Sequence, residues 1–195
     1  MVQTSDRPTP SAAEPPITLS EFLAQPETKP ASEYINGEIH QKPMPKGKHS
    51  YLQSELTALI NASLRSPRIA RAGSELRCTF GDRSIVPDIA VFTWDNIPRD
   101  PDGSVANEFD RAPDWTIEIL SPDQRPTRPT KNILHCLHHG AAMGWLIDPE
   151  DFTVFVHTLD NHILYFDEPG SRLPVPAFAE SLEITVQSLM DCLVN

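Results

Sequence analysis

The chain has 195 residues, a net charge of −11 and 39% hydrophobic residues, with 20 prolines and three cysteines. That length suits one domain with its own core. No run approaches the 18 apolar residues of a membrane span. The N-terminus lacks the charged and then apolar regions of a secretory signal. The acidic balance argues against a protein that holds nucleic acid by charge alone. Cys78, Cys136 and Cys192 are odd in number and far apart, which reads as reduced thiols of a cytoplasmic protein.

Met1 to Pro16 carries four prolines among Ser, Thr and Ala, and reads as a disordered N-terminal arm (residues 1–16) before a single domain (17–195). Thr18-Leu19-Ser20-Glu21 has capping-box spacing and opens a short helix that Pro26 ends. Tyr34-Ile35 and Glu38-Ile39 flank Asn36-Gly37, a strong hairpin signal. A basic, proline-bearing loop, Pro43 to Lys48, leads to His49 and a helix to about Leu64 with Leu52, Leu56, Leu59 and Ile60 at helical spacing. His49 reads either as a surface or capping residue or as a contact to substrate phosphate or site carboxylates.

Ala72 to Phe80 alternates as one strand, and Gly81-Asp82-Arg83 turns it into Ile85 to Phe92. Trp94 to Pro113 is a long polar loop. Trp115 to Leu120 is a second strand of buried character. A helix from Pro129 or Thr130 to about His139 ends at Gly140. It carries Cys136 and His139, but no second pair with zinc-site spacing accompanies them, so core packing is the simpler reading of Cys136. Then follow a strand to Ile147, a hairpin over Phe152 to Phe166, a strand from Leu182 to Val186 and a short helix from Ser188.

Two acids stand out. Asp88 lies in Ile85-Val86-Pro87-Asp88-Ile89-Ala90-Val91-Phe92 and Glu118 in Trp115-Thr116-Ile117-Glu118-Ile119-Leu120. A carboxylate inside such a run loses hydration unless something compensates it. A divalent cation between the two would compensate both; a pair of half-solvated strand ends, or partners in arginine, would also satisfy them. Arg65, Arg68, Arg71, Arg77 and Arg83, and separately Arg125, Arg128 and Lys131, form basic strips that read as scattered surface charge or as a phosphate track.

Pro87-Asp88 followed by Glu118 resembles the PD-(D/E)xK nuclease superfamily. Glu33-Tyr34-Ile35-Asn36-Gly37-Glu38-Ile39, His49, Ser84 to Phe92, Glu118-Ile119-Leu120-Ser121-Pro122 and Gly144-Trp145-Leu146-Ile147-Asp148-Pro149 resemble one branch of it, the Uma2-like (DUF820) restriction endonuclease family, from about Leu19 to Leu193. The resemblance implies an α/β (α+β) fold, a restriction-endonuclease-like mixed sheet with flanking helices. It implies a Mg2+- or Mn2+-dependent endonuclease acting on DNA, with Asp88 and Glu118 as metal ligands and catalytic residues, and it suggests a homodimer. It gives Glu38 a place near the metal, as an alternative to an exposed edge-strand acid.

The superfamily lysine two residues after the glutamate is Leu120 here. In the branch the lysine comes from the following helix, where ungapped counting reaches Asn132 with Lys131 one residue earlier. Lys131 is therefore the expected third catalytic residue, with Arg125 and Arg128 as phosphate contacts. The rival reading is a weak or inactive nuclease fold that binds nucleic acid or a partner protein.

Overall fold

A computed structural model describes residues 17–122, 124–160 and 162–194; the expected arm, Met1 to Pro16, lies outside them. Helix α1 (Leu19–Leu23) starts at Thr18, whose side chain accepts from the Glu21 N–H while the Glu21 carboxylate accepts from the Thr18 N–H, as the capping box requires. Strands β1 (Ser32–Ile35) and β2 (Glu38–Gln41) form the expected hairpin. Its turn residues Asn36 and Gly37 both have positive φ, the conformation that favours Asn-Gly.

Helix α2 (Gly47–Leu64) leads to β3 (Ala70–Ser74), and β4 (Cys78–Phe80) turns into β5 (Arg83–Ile85). Strands β6 (Ile89–Thr93) and β7 (Trp115–Ile119) precede helix α3 (Thr127–His138). Strands β8 (Met143–Asp148), β9 (Thr153–Thr158) and β10 (Ile163–Phe166) and helix α4 (Val186–Asp191) complete the chain.

The strands make two sheets. One has the order β2-β1-β5-β4, the other β10-β9-β8-β7-β6-β3. In the larger sheet β7 and β8 run parallel and the other neighbours antiparallel, so the sheet is mixed. Alternation assigns its two faces. Ile89, Val91, Trp115, Ile117 and Ile119 pack with Leu52, Leu56, Ile60 and Leu64 of α2. Ala90, Phe92, Leu120 and Leu146 pack with Ile133, Cys136 and Leu137 of α3 and with Ile35, Cys78, Phe80 and Ile85 of the smaller sheet. Helix α3 comes very close to β8 because Gly144 has no side chain; a Cβ there would run into Ile133.

Three expected strands are corrected. Ala72 to Phe80 is two strands in different sheets, broken where Glu75 takes a φ of +50°. Ile85 to Phe92 is likewise interrupted at Val86-Pro87-Asp88, where the chain passes from the smaller sheet to the larger. Pro87 has no N–H to give to a ladder, which suits a crossing. Leu182 to Val186 makes only an isolated bridge, Thr185 with Arg172, beside a hydrogen bond from the Leu173 N–H to the Ile184 carbonyl at 2.8 Å; the run that suggested a strand instead buries Leu182 and Ile184 on α2's side of the core, and Thr185 caps α4. Helix α3 starts two or three residues earlier than expected, since Pro129 in the first turn gives up an N–H that has no helical partner anyway. No helix among the described residues is long and apolar enough to cross a membrane.

Candidate metal and nucleic-acid site

Asp88 directly precedes β6 and Glu118 lies in β7, its neighbour in the sheet, where Ile89 pairs with Ile117. Both are 2% exposed. Asp88 Oδ1 accepts from the Lys42 ammonium at 2.6 Å, and Oδ2 from the main-chain N–H of Ile119 at 2.7 Å. His49 Nε2 stands 3.2 Å from the same Oδ2. The Asp88 main-chain carbonyl accepts from Gln53 Nε2 at 2.8 Å and from the Glu75 N–H at 3.1 Å. Glu118 Oε2 lies 3.6 Å from Lys42 Nζ, and Oε1 lies 3.4 Å from Asn132 Nδ2.

A third acid completes the group. Glu33, on β1, is 1% exposed; its Oε1 accepts from the Val86 N–H at 2.9 Å and from Asn132 Nδ2 at 3.1 Å. The Lys42 ammonium also donates to the Val86 carbonyl at 2.7 Å. Three buried acids thus face one lysine.

The electrostatics follow from that imbalance. Burial by itself would depress the Lys42 pKa, but Asp88, Glu118 and Glu33 outweigh it and hold the ammonium charged far above its ordinary value. Burial opposes ionisation of Asp88 too; the charge of Lys42 and the contact with His49 win, and its carboxyl titrates well below the usual range. For Glu118, burial comes first in raising its pKa, Lys42 opposes, and the charges of Asp88 and Glu33 push it up further, so it rests well above the carboxylate range. The crowding of negative charge is therefore relieved by a proton that Glu118 holds more tightly than an ordinary carboxylate.

The two acids expected from the sequence are brought together. His49 is 5% exposed and stands beside Asp88, so it is a buried neighbour of the acids and not a surface residue. Lys131 does not join them: it is exposed on the wall of an adjoining cleft, because one step along α3 turns a side chain about 100°. The α3 residue facing Glu118 is Asn132, and the site's ammonium is Lys42's, from the loop after β2. Glu38 is also corrected. Its side chain is 75% exposed and lies 3.3 Å from His40 on the edge strand, because strand alternation and the hairpin turn it outward while Glu33 is the buried acid. Cys136 is buried among core side chains, and the His139 Nδ1 lies 2.8 Å from the His135 carbonyl.

Beside the acids opens a cleft of about 740 Å3. His40, Lys42, Arg83, Arg125, Arg128 and Lys131 line it, with Glu38 as its acid among the described residues. In a chain of net charge −11, five of the 16 lysines and arginines thus line this one cleft. Arg77, from the first basic strip, is instead tied to Glu27 at 2.7 Å.

The donor set is of the type hard divalent cations take. It offers carboxylate oxygens and the Val86 carbonyl around a point of net negative charge, with Asn132 Oδ1 buried and lacking a hydrogen-bond partner. Among the described residues no three acid, histidine or cysteine side chains already form a ligand cluster. A cation here would rest on two carboxylates, main-chain oxygen and water, as Mg2+ commonly does.

Fold and site together mark a nuclease fold. The chain is similar to a crystal structure described as "a putative nuclease belonging to DUF820" from Anabaena variabilis ATCC 29413, with a TM-score of 0.90 and 60% identity over 92% of this chain and 100% of that one. The family model Uma2, described as "Putative restriction endonuclease", matches residues 19–187, and the chain belongs to the Uma2 family. No functionally curated protein matches it.

Proposed function

We propose that this protein is a Mg2+-dependent endonuclease that hydrolyses DNA phosphodiester bonds, with Asp88 and Glu118 as metal ligands. The observation that carries the reading is three acids buried behind a single ammonium at the edge of a basic cleft. When bound, the cation supplies Lewis-acid stabilisation of charge on the phosphate and a more acidic water.

The chain's own residues do the rest. His49 and the Ile119 N–H fix the Asp88 carboxylate. Asn132 fixes Glu118. Lys42, between the acids and the cleft, would face the scissile phosphate once turned toward the cleft, where a positioned cation stabilises developing charge. Arg83, Arg125, Arg128 and Lys131 hold neighbouring phosphates. Two such chains related by a two-fold axis would address one strand each.

Incubation of supercoiled plasmid and of single-stranded DNA with the protein and Mg2+, Mn2+ or EDTA tests this. Cleavage is expected with either metal and none with EDTA, and Asp88→Asn is expected to be inactive. A second reading, a nuclease fold that binds nucleic acid without cutting it, draws on Asn132, a neutral side chain where α3 meets Glu118. DNA retained in a mobility-shift assay but uncut under every metal would favour it.

A further inference from the structure

We propose that the Lys42 ammonium is a built-in occupant of the divalent-cation position, and that metal enters as Lys42 withdraws into the basic cleft; this rests on the reading of Asp88 and Glu118 as metal ligands. The ammonium sits among Asp88 Oδ1 at 2.6 Å, the Val86 carbonyl at 2.7 Å and Glu118 Oε2 at 3.6 Å. Those oxygens are the donors a hard cation would take. The two cations are thus competitors for one place.

One positive charge leaves the place under-neutralised. Glu33, Asp88 and Glu118 are all 2% exposed or less, and the Asn132 amide, its Nδ2 on Glu33 and Glu118, keeps an unpartnered buried oxygen. A divalent ion brings twice the charge to the same acids, and Coulomb attraction scales with it.

The route out is short. Lys42 directly follows β2, its N–H bonded to the Ala31 carbonyl at 2.9 Å and its chain continuing into Pro43. Its side chain lines both the cleft and a small recess containing His49, Asp88, Ser121 and Gln124. A lysine stem has four carbons and many rotamers, so the charge can cross that boundary while the backbone stays in place. In the empty cleft the withdrawn ammonium would meet Arg83, Arg125, Arg128 and Lys131 and be repelled. A phosphodiester in the cleft removes that repulsion. Phosphate binding and metal binding each require the same displacement of Lys42, so each favours the other, as reciprocal coupling demands. The withdrawn ammonium then faces the phosphate, its role in the proposed reaction.

Calorimetric titration with Mn2+ on wild type and Lys42→Met, without nucleic acid, is the test. The variant keeps the stem and loses the charge. It is expected to bind Mn2+ about tenfold tighter or better while cutting DNA more slowly than wild type, a pair of opposite changes that general damage to the fold would not give. A non-cleavable phosphorothioate duplex is expected to tighten Mn2+ binding by wild type and to do so far less for the variant. Equal or weaker Mn2+ binding by a folded variant overturns the displacement of Lys42 and leaves the metal-site reading standing. Absence of Mn2+ binding by both folded proteins overturns the two together. Should the variant not fold, amine labelling of wild type read by mass spectrometry decides: Lys42 is expected to be protected without metal and exposed at saturating Mg2+, and unchanged labelling overturns the proposal.

Discussion

The carboxylate of Asp88 accepts the main-chain N–H of Ile119 at 2.7 Å, so the acid that opens β6 is stitched to the backbone of β7. With Lys42 and His49 it has donors on both oxygens. Simple repulsion between paired acids would make removal of the Asp88 charge stabilising. The observed partners reverse that expectation. Asp88→Asn turns one acceptor into an NH2 that faces a donor, and is expected to cost roughly 3 kcal/mol and to abolish Mn2+ binding. Urea unfolding and calorimetric titration check the two parts; an unchanged or raised midpoint would show that the contacts of Asp88 contribute no net stability.

Glu118 behaves in the opposite sense. Its folded-state pKa is raised, so the protonated form favours the fold, and that contribution is lost as pH rises through the folded value. Glu118→Gln imitates the protonated acid. In metal-free protein its effect on the melting temperature is expected to become more favourable as pH rises, the direction in which wild type loses the contribution of the protonated acid. A benefit that shrinks as pH rises would contradict a proton held preferentially on Glu118 in the fold.

Arg125, Arg128 and Lys131 share the cleft wall, and their single replacements by Ala are expected to act alike. Each should weaken nucleic-acid binding and reduce the slope of log affinity against log salt by about one, with little change in rate at saturating DNA. Lys131→Ala thus becomes an affinity variant. A loss of about a hundredfold in rate at saturating DNA would restore it to the reaction itself.

Gly144→Ala tests how α3 is seated. The added methyl meets Ile133, and α3 must shift away from β8, carrying Asn132 with it. Overpacking of this kind typically costs about 1–3 kcal/mol. Thermal unfolding should show the loss, and Mn2+ affinity should fall as Glu118 loses its amide partner. Restoration of both by Ile133→Leu, which lacks the Cγ2 methyl that the new Cβ would meet, would identify the clash as the cause.

The local signals in the sequence were reliable where the physics is local. The Thr18 capping box, the Asn36-Gly37 turn, Gly140 after α3 and the pairing of the Asp88 and Glu118 segments all appear in the structure. Lys42 was not legible: it lies 46 positions from Asp88, in a loop with Lys46 and just before Lys48 of α2, and no periodicity says which lysine turns inward. Glu33 was hidden because all four residues of β1 are buried, so alternation could not separate it from the exposed Glu38. The proline between Val86 and Asp88 was the available sign that the Ile85 to Phe92 run is broken rather than continuous.

The break at Pro87 also has a mechanical meaning. The chain changes sheets twice near the acids, between β3 and β4 and between β5 and β6, and the two passages are laced together where Glu75 donates to the Asp88 carbonyl. The smaller sheet bears the hairpin that walls the cleft, while the larger one bears Glu118. Asp88 therefore sits at the fulcrum between them. A tilt of the hairpin would be levered onto the backbone of Asp88, so movement of the smaller sheet and the alignment of the carboxylates are expected to be geared to each other.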